Sequence, residues 1–168
     1  MIECAEIIKQ KVNFDLIDLL YPEDENELEH KSELLKQPRY ALPALFSIEY
    51  SLAQLWISWG IKPDAFMGHS LGEYTAAHLA GVIELKDVLG LVCLRGELFH
   101  KIGKGGMLTA ALSEKKLTSY LSDELDIAAI NGPSRTVAAG KIEAIEKLEA
   151  ALKSDNIDCR ILKIDTAG

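Results

Sequence analysis

Cysteine is scarce in this chain: Cys4, Cys93 and Cys159 are an odd number, far apart, with no Cys-x-x-Cys pair. They offer no disulfide framework and no metal-ligand spacing, and read as small buried hydrophobes of a reducing compartment. Runs of Lys and Arg are missing too. With 18 basic against 26 acidic residues the net charge is −8, so the clustered positive surface that phosphate recognition needs is lacking and nucleic acid is excluded as a partner. Glu3 and Glu6 stand where an export signal would be basic and then apolar, which gives no sign of secretion and points to the cytoplasm. No apolar run is clean enough to span a membrane. The longest candidate, Tyr40 to Ile61, is broken by Pro43, Glu49 and Gln54, and Glu49 in mid-bilayer would be costly; a buried core helix is expected there instead. Internal repeats and low-complexity tracts are absent.

What is present suits a folded chain. Hydrophobic residues make up 48% of 168, enough for one domain, or a compact one with a small lobe. The acidity is concentrated between Tyr21 and Lys36, where six acids face two lysines; this stretch reads as a solvated loop or loose helix.

Behind Pro43, the residues Ala44, Leu45, Ile48, Leu52, Leu55 and Trp56 recur at helical spacing, with Gly60 as a stop. The brief apolar run Ala65 to His69 suits a buried strand, Ser70 follows, and a helical pattern runs to Gly81. A second helix, Leu85 to Ile102, carries a stripe of Leu85, Val88, Val92, Arg95, Phe99 and Ile102. Past the glycine-rich break at 103–106, patterning predicts a strand over 107–112, a Ser-capped helix over 113–121, and a strand over 127–130. A turn at 131–134, a strand over 136–139, a helix over 142–152 and a strand over 157–164 complete it. The order βαββαβ is the split-βαβ, ferredoxin-like pattern. The fold class is therefore α/β. Residues 1–105 are expected to form part of a catalytic lobe and 106–168 a small lobe.

Gly68-His69-Ser70-Leu71-Gly72 fits G-x-S-x-G. On a sharp strand-to-helix turn, flanking glycines relieve crowding and present the serine oxygen, while the helix N-terminus behind it favours a developing oxyanion. One such donor is worth about 2.7–4 kcal/mol of barrier. The same pattern also occurs in turns with no chemistry. A nucleophile needs a base, and the four histidines supply none: His69 adjoins Ser70 with its side chain directed elsewhere, and His78 lies roughly 12 Å along the helix. His30 falls in the acidic stretch, and His100 falls beside the buried stripe. Arg95, at an inward position, needs an anion. Two partners are equally open: an internal carboxylate such as Glu73, or a carboxylate on the substrate, which the planar fork of arginine matches bidentately.

These residues resemble a known family. Pro43-Ala-Leu-Phe46, the Trp56…Gly60-Ile61-x-Pro63-Asp64 connector and Gly68-His-Ser-Leu-Gly-Glu-Tyr74 are followed by Ala77-His-Leu-Ala-Gly81, Arg95-Gly96, Gly105-Gly-Met107 and Asn131-Gly-Pro-Ser-Arg-Thr-Val137. In this order they look like successive blocks of the malonyl-CoA:acyl carrier protein transacylase domain of fatty acid and polyketide synthases. The resemblance implies a hydrolase-like α/β lobe carrying a strand-Ser-helix nucleophile elbow, plus a ferredoxin-like small lobe. It implies Ser70 as the nucleophile, and Arg95, Leu71, His69 and Asn131 as substrate-binding residues, with Arg95 holding the free carboxylate and Leu71 matching malonyl-selecting members. No bound cofactor or metal is implied. The acyl group arrives on coenzyme A and leaves on the phosphopantetheine thiol of an acyl carrier protein, in ping-pong fashion, within a multidomain synthase.

The chain departs from the family at Leu42, where glutamine is usual. It also lacks the family's opening strand and glycine-glutamine loop, and the family's catalytic histidine would follow Gly168. An interior piece of such a domain is thus expected. Two other readings stand beside it: an α/β-hydrolase or patatin-like esterase, and a non-catalytic docking piece whose only basic patch for an acidic carrier is Lys101, Lys104, Lys115 and Lys116.

Overall fold

The computed structural model describes residues 1–102 and 104–162, and of His100 the backbone alone. It divides into two compact units, Met1–Lys101 and Ile102–Gly168.

Among its described residues the first unit is helical: α1 (Ile2–Lys11), α2 (Leu16–Leu20), a 3-10 turn (Glu25–Glu27), α3 (Leu28–Leu34), α4 (Pro38–Ser58), α5 (Gly72–Leu79) and α6 (Leu85–Lys101). Asp15 starts α2 by accepting the N–H groups of Ile17 and Asp18 at 3.0 and 3.3 Å, which satisfies donors that a helix start leaves orphaned. The core is a patch of Cys4, Ile8, Leu16, Phe46, Val88, Leu89 and Val92 gathered from α1, α2, α4 and α6. Helices α4 and α6 pack tightly at Gly96, where a Cβ would come within 2.8 Å of the Pro38 carbonyl oxygen; only glycine permits that approach.

The acidic stretch is more ordered than a solvated loop. It folds around Lys31, which is only 8% exposed and whose Nζ lies 2.6 Å from Asp18 and 2.5 Å from Glu27. These bonds, to Asp18 first and then to Glu27, hold the Lys31 ammonium above its ordinary pKa. Glu27 of the stretch and Asp18 of α2 thus answer one buried cation, and α3 is tied to α2.

Two expectations for this unit need correction. Helix α4 begins at Pro38, not behind Pro43. Pro38 takes the first-turn position that suits a fixed φ, and Pro43 lies buried inside the helix, its carbonyl accepting the Ser47 hydroxyl at 2.7 Å. Nor is α4 buried all round. Pro43, Ala44, Phe46 and Ser47 face the core, whereas Leu45, Ile48, Leu52, Leu55 and Trp56 are between 41% and 52% exposed. An apolar stripe marks a face that can be covered; it does not say that a neighbour is present. The predicted strand at Ala65 to His69 is likewise not formed. Residues 65–67 are exposed, Met67 to 97%, because a strand exists only when a neighbour takes up its backbone groups, and no described element of this unit does so.

The second unit follows the predicted order. Strands β1 (Gly106–Ala110), β2 (Leu125–Gly132), β3 (Arg135–Gly140) and β4 (Cys159–Ile161) form one sheet, with α7 (Glu114–Thr118) and α8 (Ile142–Ser154) between them. The sheet order is β2-β3-β1-β4, every pair antiparallel. Leu108 and Ala110 of β1 and Ala138 of β3 pack with Ala144, Ile145, Leu148 and Leu152 of α8, as the helical spacing of the latter requires. Pairing of β2 with β3 runs to Gly132↔Arg135, so the turn is Pro133-Ser134 alone and Asn131 lies within β2, not in the turn. Residues 163 and 164 of the predicted last strand, Gly103 of the glycine-rich break, and 166–168 lie outside the described residues.

The three cysteines are free thiols. Burial pushes the Cys93 thiol up to about 11 from 9.0. At about pH 8, an alkylating reagent should label Cys93 only after unfolding. Since the unfolded chain releases this proton first, the thiol's contribution to stability is intact below pH 9.0 and declines as pH rises toward 11. Urea midpoints measured across that window should fall, and a Cys93→Ala variant should lose that part of the slope.

Candidate active site

The chain turns at Gly68 to Gly72. Backbone passes so close to backbone that a Cβ on Gly68 would sit 2.2 Å from the Gly72 carbonyl carbon and 2.3 Å from the Glu73 nitrogen, which no side chain can tolerate. Two residues later Ser70 has φ +52°, a left-handed conformation that is uncommon outside glycine. Such strain costs about 1–2 kcal/mol and is held by its surroundings. Ser70 is exposed, while the next residue, Leu71, is 5% exposed and belongs to the core. The buried leucine anchors the turn that carries the serine outward.

Helix α5 starts directly behind it. The Gly72 N–H donates to His69 O at 3.0 Å and the Glu73 N–H to Ser70 O at 3.2 Å. Among the described residues the Leu71 N–H meets no acceptor, leaving one backbone donor beside the Ser70 side chain at the positive end of a helix. Thr75 Oγ1, itself buried, donates to Glu49 at 2.7 Å and fastens α5 to α4.

Arg95 lies half-buried on α6. Among the described residues it has no carboxylate within 4.0 Å, so the internal pair with Glu73 is not made. Its guanidinium lies instead over two rings, with Cζ 5.6 Å from the centroid of Tyr74 and 5.2 Å from that of Phe99. Because Tyr74 is one turn along α5 from Ser70 and bonds back to Leu71 O at 3.0 Å, the serine's helix and Arg95 adjoin. Neither ring was singled out from the sequence. The spacing of four residues between Arg95 and Phe99 on one stripe is the signal that could have found the second.

The other expected site residues are placed as follows. His69 is exposed beside Ser70, and His30 is exposed on α3. His78 shares a 2.9 Å hydrogen bond between Nδ1 and Ile83 O and meets Tyr50 edge-on at 5.2 Å; it holds the end of α5. The His100 side chain lies outside the described residues. Asn131 belongs to β2 of the second unit. A cleft of about 640 Å³ runs between residues 64–68 and Ala76, Ala77 and Ala80 on and just after α5, and neither Ser70 nor Arg95 lines it. Among the described residues no group of His, Cys, Asp and Glu could hold a metal, and no helix is long and apolar enough to cross a membrane.

The family described as "Acyl transferase domain" matches residues 1–168. The chain is 36% identical over 169 residues to the PKS-NRPS hybrid synthetase ATPKS of Aspergillus niger, covering 97% of this chain and 9% of that protein. Among solved structures it is similar to the acyl transferase domain of ZmaA, with a TM-score of 0.87 at 35% identity over 97% of this chain and 38% of that one. It is also similar to the acyltransferase domain from module 8 of the salinomycin polyketide synthase, with a TM-score of 0.86 at 30% identity over 99% and 39%. The chain thus spans about two fifths of the length of these two solved chains and 9% of the synthetase.

The strain at position 70 is measurable apart from any activity. Ser70→Gly should be more stable than Ser70→Ala by about 1 kcal/mol in urea denaturation, because glycine adopts positive φ without penalty. Equal midpoints would mean that the turn is unstrained.

Proposed function

Because the chain belongs to the acyl transferase domain family, we propose that, within a full-length domain of that kind, it carries the nucleophile and the carboxylate anchor for malonyl-type transfer in polyketide or fatty acid biosynthesis. The observation that carries this reading is an exposed serine in a left-handed turn at a helix N-terminus, next to a helix whose arginine has no carboxylate partner among the described residues.

Ser70 Oγ attacks the thioester carbonyl of a malonyl-type acyl-CoA while its proton passes to a general base. The oxyanion is met by the Leu71 N–H. It collapses with cleavage of the C–S bond, and the departing coenzyme A thiolate takes the proton. The phosphopantetheine thiol of an acyl carrier protein then attacks the Ser70 ester, the ester C–O bond breaks, and the proton returns to the serine. For the base this reading takes the histidine that the family resemblance implies, since His78 is held by Ile83 and His30 lies on the exposed face of α3. Arg95 grips the malonyl carboxylate, Leu71 supports the turn from beneath, and His69 and Asn131 are taken as substrate-binding residues on the family resemblance alone. No bound cofactor is needed, and cytoplasmic location fits three free thiols.

The proposal extends to the fold. The sheet order β2-β3-β1-β4, with α7 and α8 as its helices, supports a ferredoxin-like small lobe, and the elbow at Ser70 supports part of a hydrolase-like α/β lobe. The exposed apolar row on α4 is then surface that the remaining chain of a full-length domain covers.

In a full-length acyltransferase domain carrying these residues, Ser70→Ala should abolish acyl-serine formation seen by mass spectrometry. Arg95→Ala should lower kcat/KM for malonyl-CoA by about 10- to 100-fold while changing acetyl transfer by less than about threefold, as loss of one charged hydrogen-bonding partner predicts. An equal loss on both substrates would favour the esterase reading.

A further inference from the structure

Among the described residues two arginines lie over aromatic rings, and they differ in one respect. On α4, the Arg39 guanidinium lies 5.1 Å over the ring of Tyr40 and also meets Glu97 at 3.2 Å. Its charge is answered within the fold. Arg95 has two rings, Tyr74 and Phe99, at 5.6 and 5.2 Å, and among the described residues no carboxylate at all. A half-buried cation held by aromatic faces and left without a counter-ion is an incomplete ion pair.

The way it is held bears on what can complete it. A guanidinium that stacks on an aromatic ring turns its flat face to the ring. The N–H donors lie in the plane, at the edge, and stay available to a planar acceptor that approaches edge-on. Ring contacts also strip water from the faces, so the cation is less hydrated before any ligand arrives and loses less on binding one. The rings come from different helices. Phe99 is one turn beyond Arg95 on α6, and Tyr74 is on α5, in the turn that bonds back to Leu71 O at 3.0 Å. One wall of the arginine's seat is therefore built into the same first turn that carries Ser70, which fixes how far the guanidinium stands from the serine.

We propose that Tyr74 and Phe99 are positioning residues that set the guanidinium plane of Arg95 and thereby determine selection of acyl groups bearing a free carboxylate over neutral ones. This rests on the reading of Arg95 as the carboxylate anchor and adds what orients it. The rings do not touch the reacting atoms. They act through Arg95, so their effect is confined to substrates that use its edge.

The test is steady-state transfer from malonyl-CoA and from acetyl-CoA in a full-length acyltransferase domain carrying these residues. The variants are Tyr74→Leu, Phe99→Leu, Tyr74→Phe and Arg95→Ala. Replacing either ring by leucine keeps apolar bulk and should raise the malonyl-CoA KM about fivefold with kcat retained, while kcat/KM for acetyl-CoA moves by less than about twofold. Tyr74→Phe, which restores the ring without the hydroxyl, should recover the KM. Three results would overturn the proposal: equal losses on both substrates, which would make the rings merely structural; Tyr74→Phe as damaged as Tyr74→Leu, which would assign the effect to the hydroxyl; or no change from either leucine. Phe99→Leu decides the matter if Tyr74→Leu fails to fold. The Arg95→Ala arm separates the two levels. If it leaves malonyl preference intact, the anchor reading itself fails, whereas loss of preference there with none in the ring variants removes this inference alone.

Discussion

At Gly68 two stretches of backbone come closer than any side chain would allow, and most of what this chain offers chemically depends on that approach. With Gly68 pressed on the start of α5, the residues between have little freedom, and Ser70 takes a positive φ. The turn is secured from below by Leu71 in the core and from the side by the buried Thr75–Glu49 hydrogen bond. A serine exposed at a helix N-terminus is the product of these restraints together. None of them is contributed by the serine itself.

Electrostatics follow from the same geometry. The turn leaves the Leu71 N–H without an acceptor among the described residues at the start of a helix, and the neighbouring helix presents a cation that no described carboxylate answers. Most exposed cations carry no carboxylate partner among the described residues, but the other two that are withdrawn from solvent do: Lys31 is held by Asp18 and Glu27, and Arg39 by Glu97. Against that background Arg95 stands out as a half-buried cation without a carboxylate partner among the described residues.

Local chemistry was legible from the sequence where one segment decides its own conformation. Spacing alone placed α5, α6 and α8 within a few residues, and turn residues ordered the four strands of the second unit correctly. Long-range facts were not legible. Pro43 looked like a helix start because the sequence does not reveal that Pro38 already fills that role. The apolar run at 65–69 looked like a strand because hydrophobicity signals a face to be covered, while strand formation needs a pairing neighbour. Asn131 read as a turn residue from its neighbours Gly132 and Pro133, yet the β2–β3 ladder extends past it. At the site, G-x-S-x-G announced the turn, and the interrupted stripe announced Arg95. The ring of Tyr74, arriving from another helix, could not be seen from either pattern, since a contact between helices has no period in sequence.

The apolar row along α4 has a consequence for how the chain is made. Synthesis proceeds at about 5–20 residues per second, so α4 leaves the ribosome several seconds before the last strand does. Over that interval Leu45, Ile48, Leu52, Leu55 and Trp56 form a ready-made ridge on a finished helix, and no described element of its own unit covers it. A nascent chain with such a ridge is a natural client for a holding chaperone.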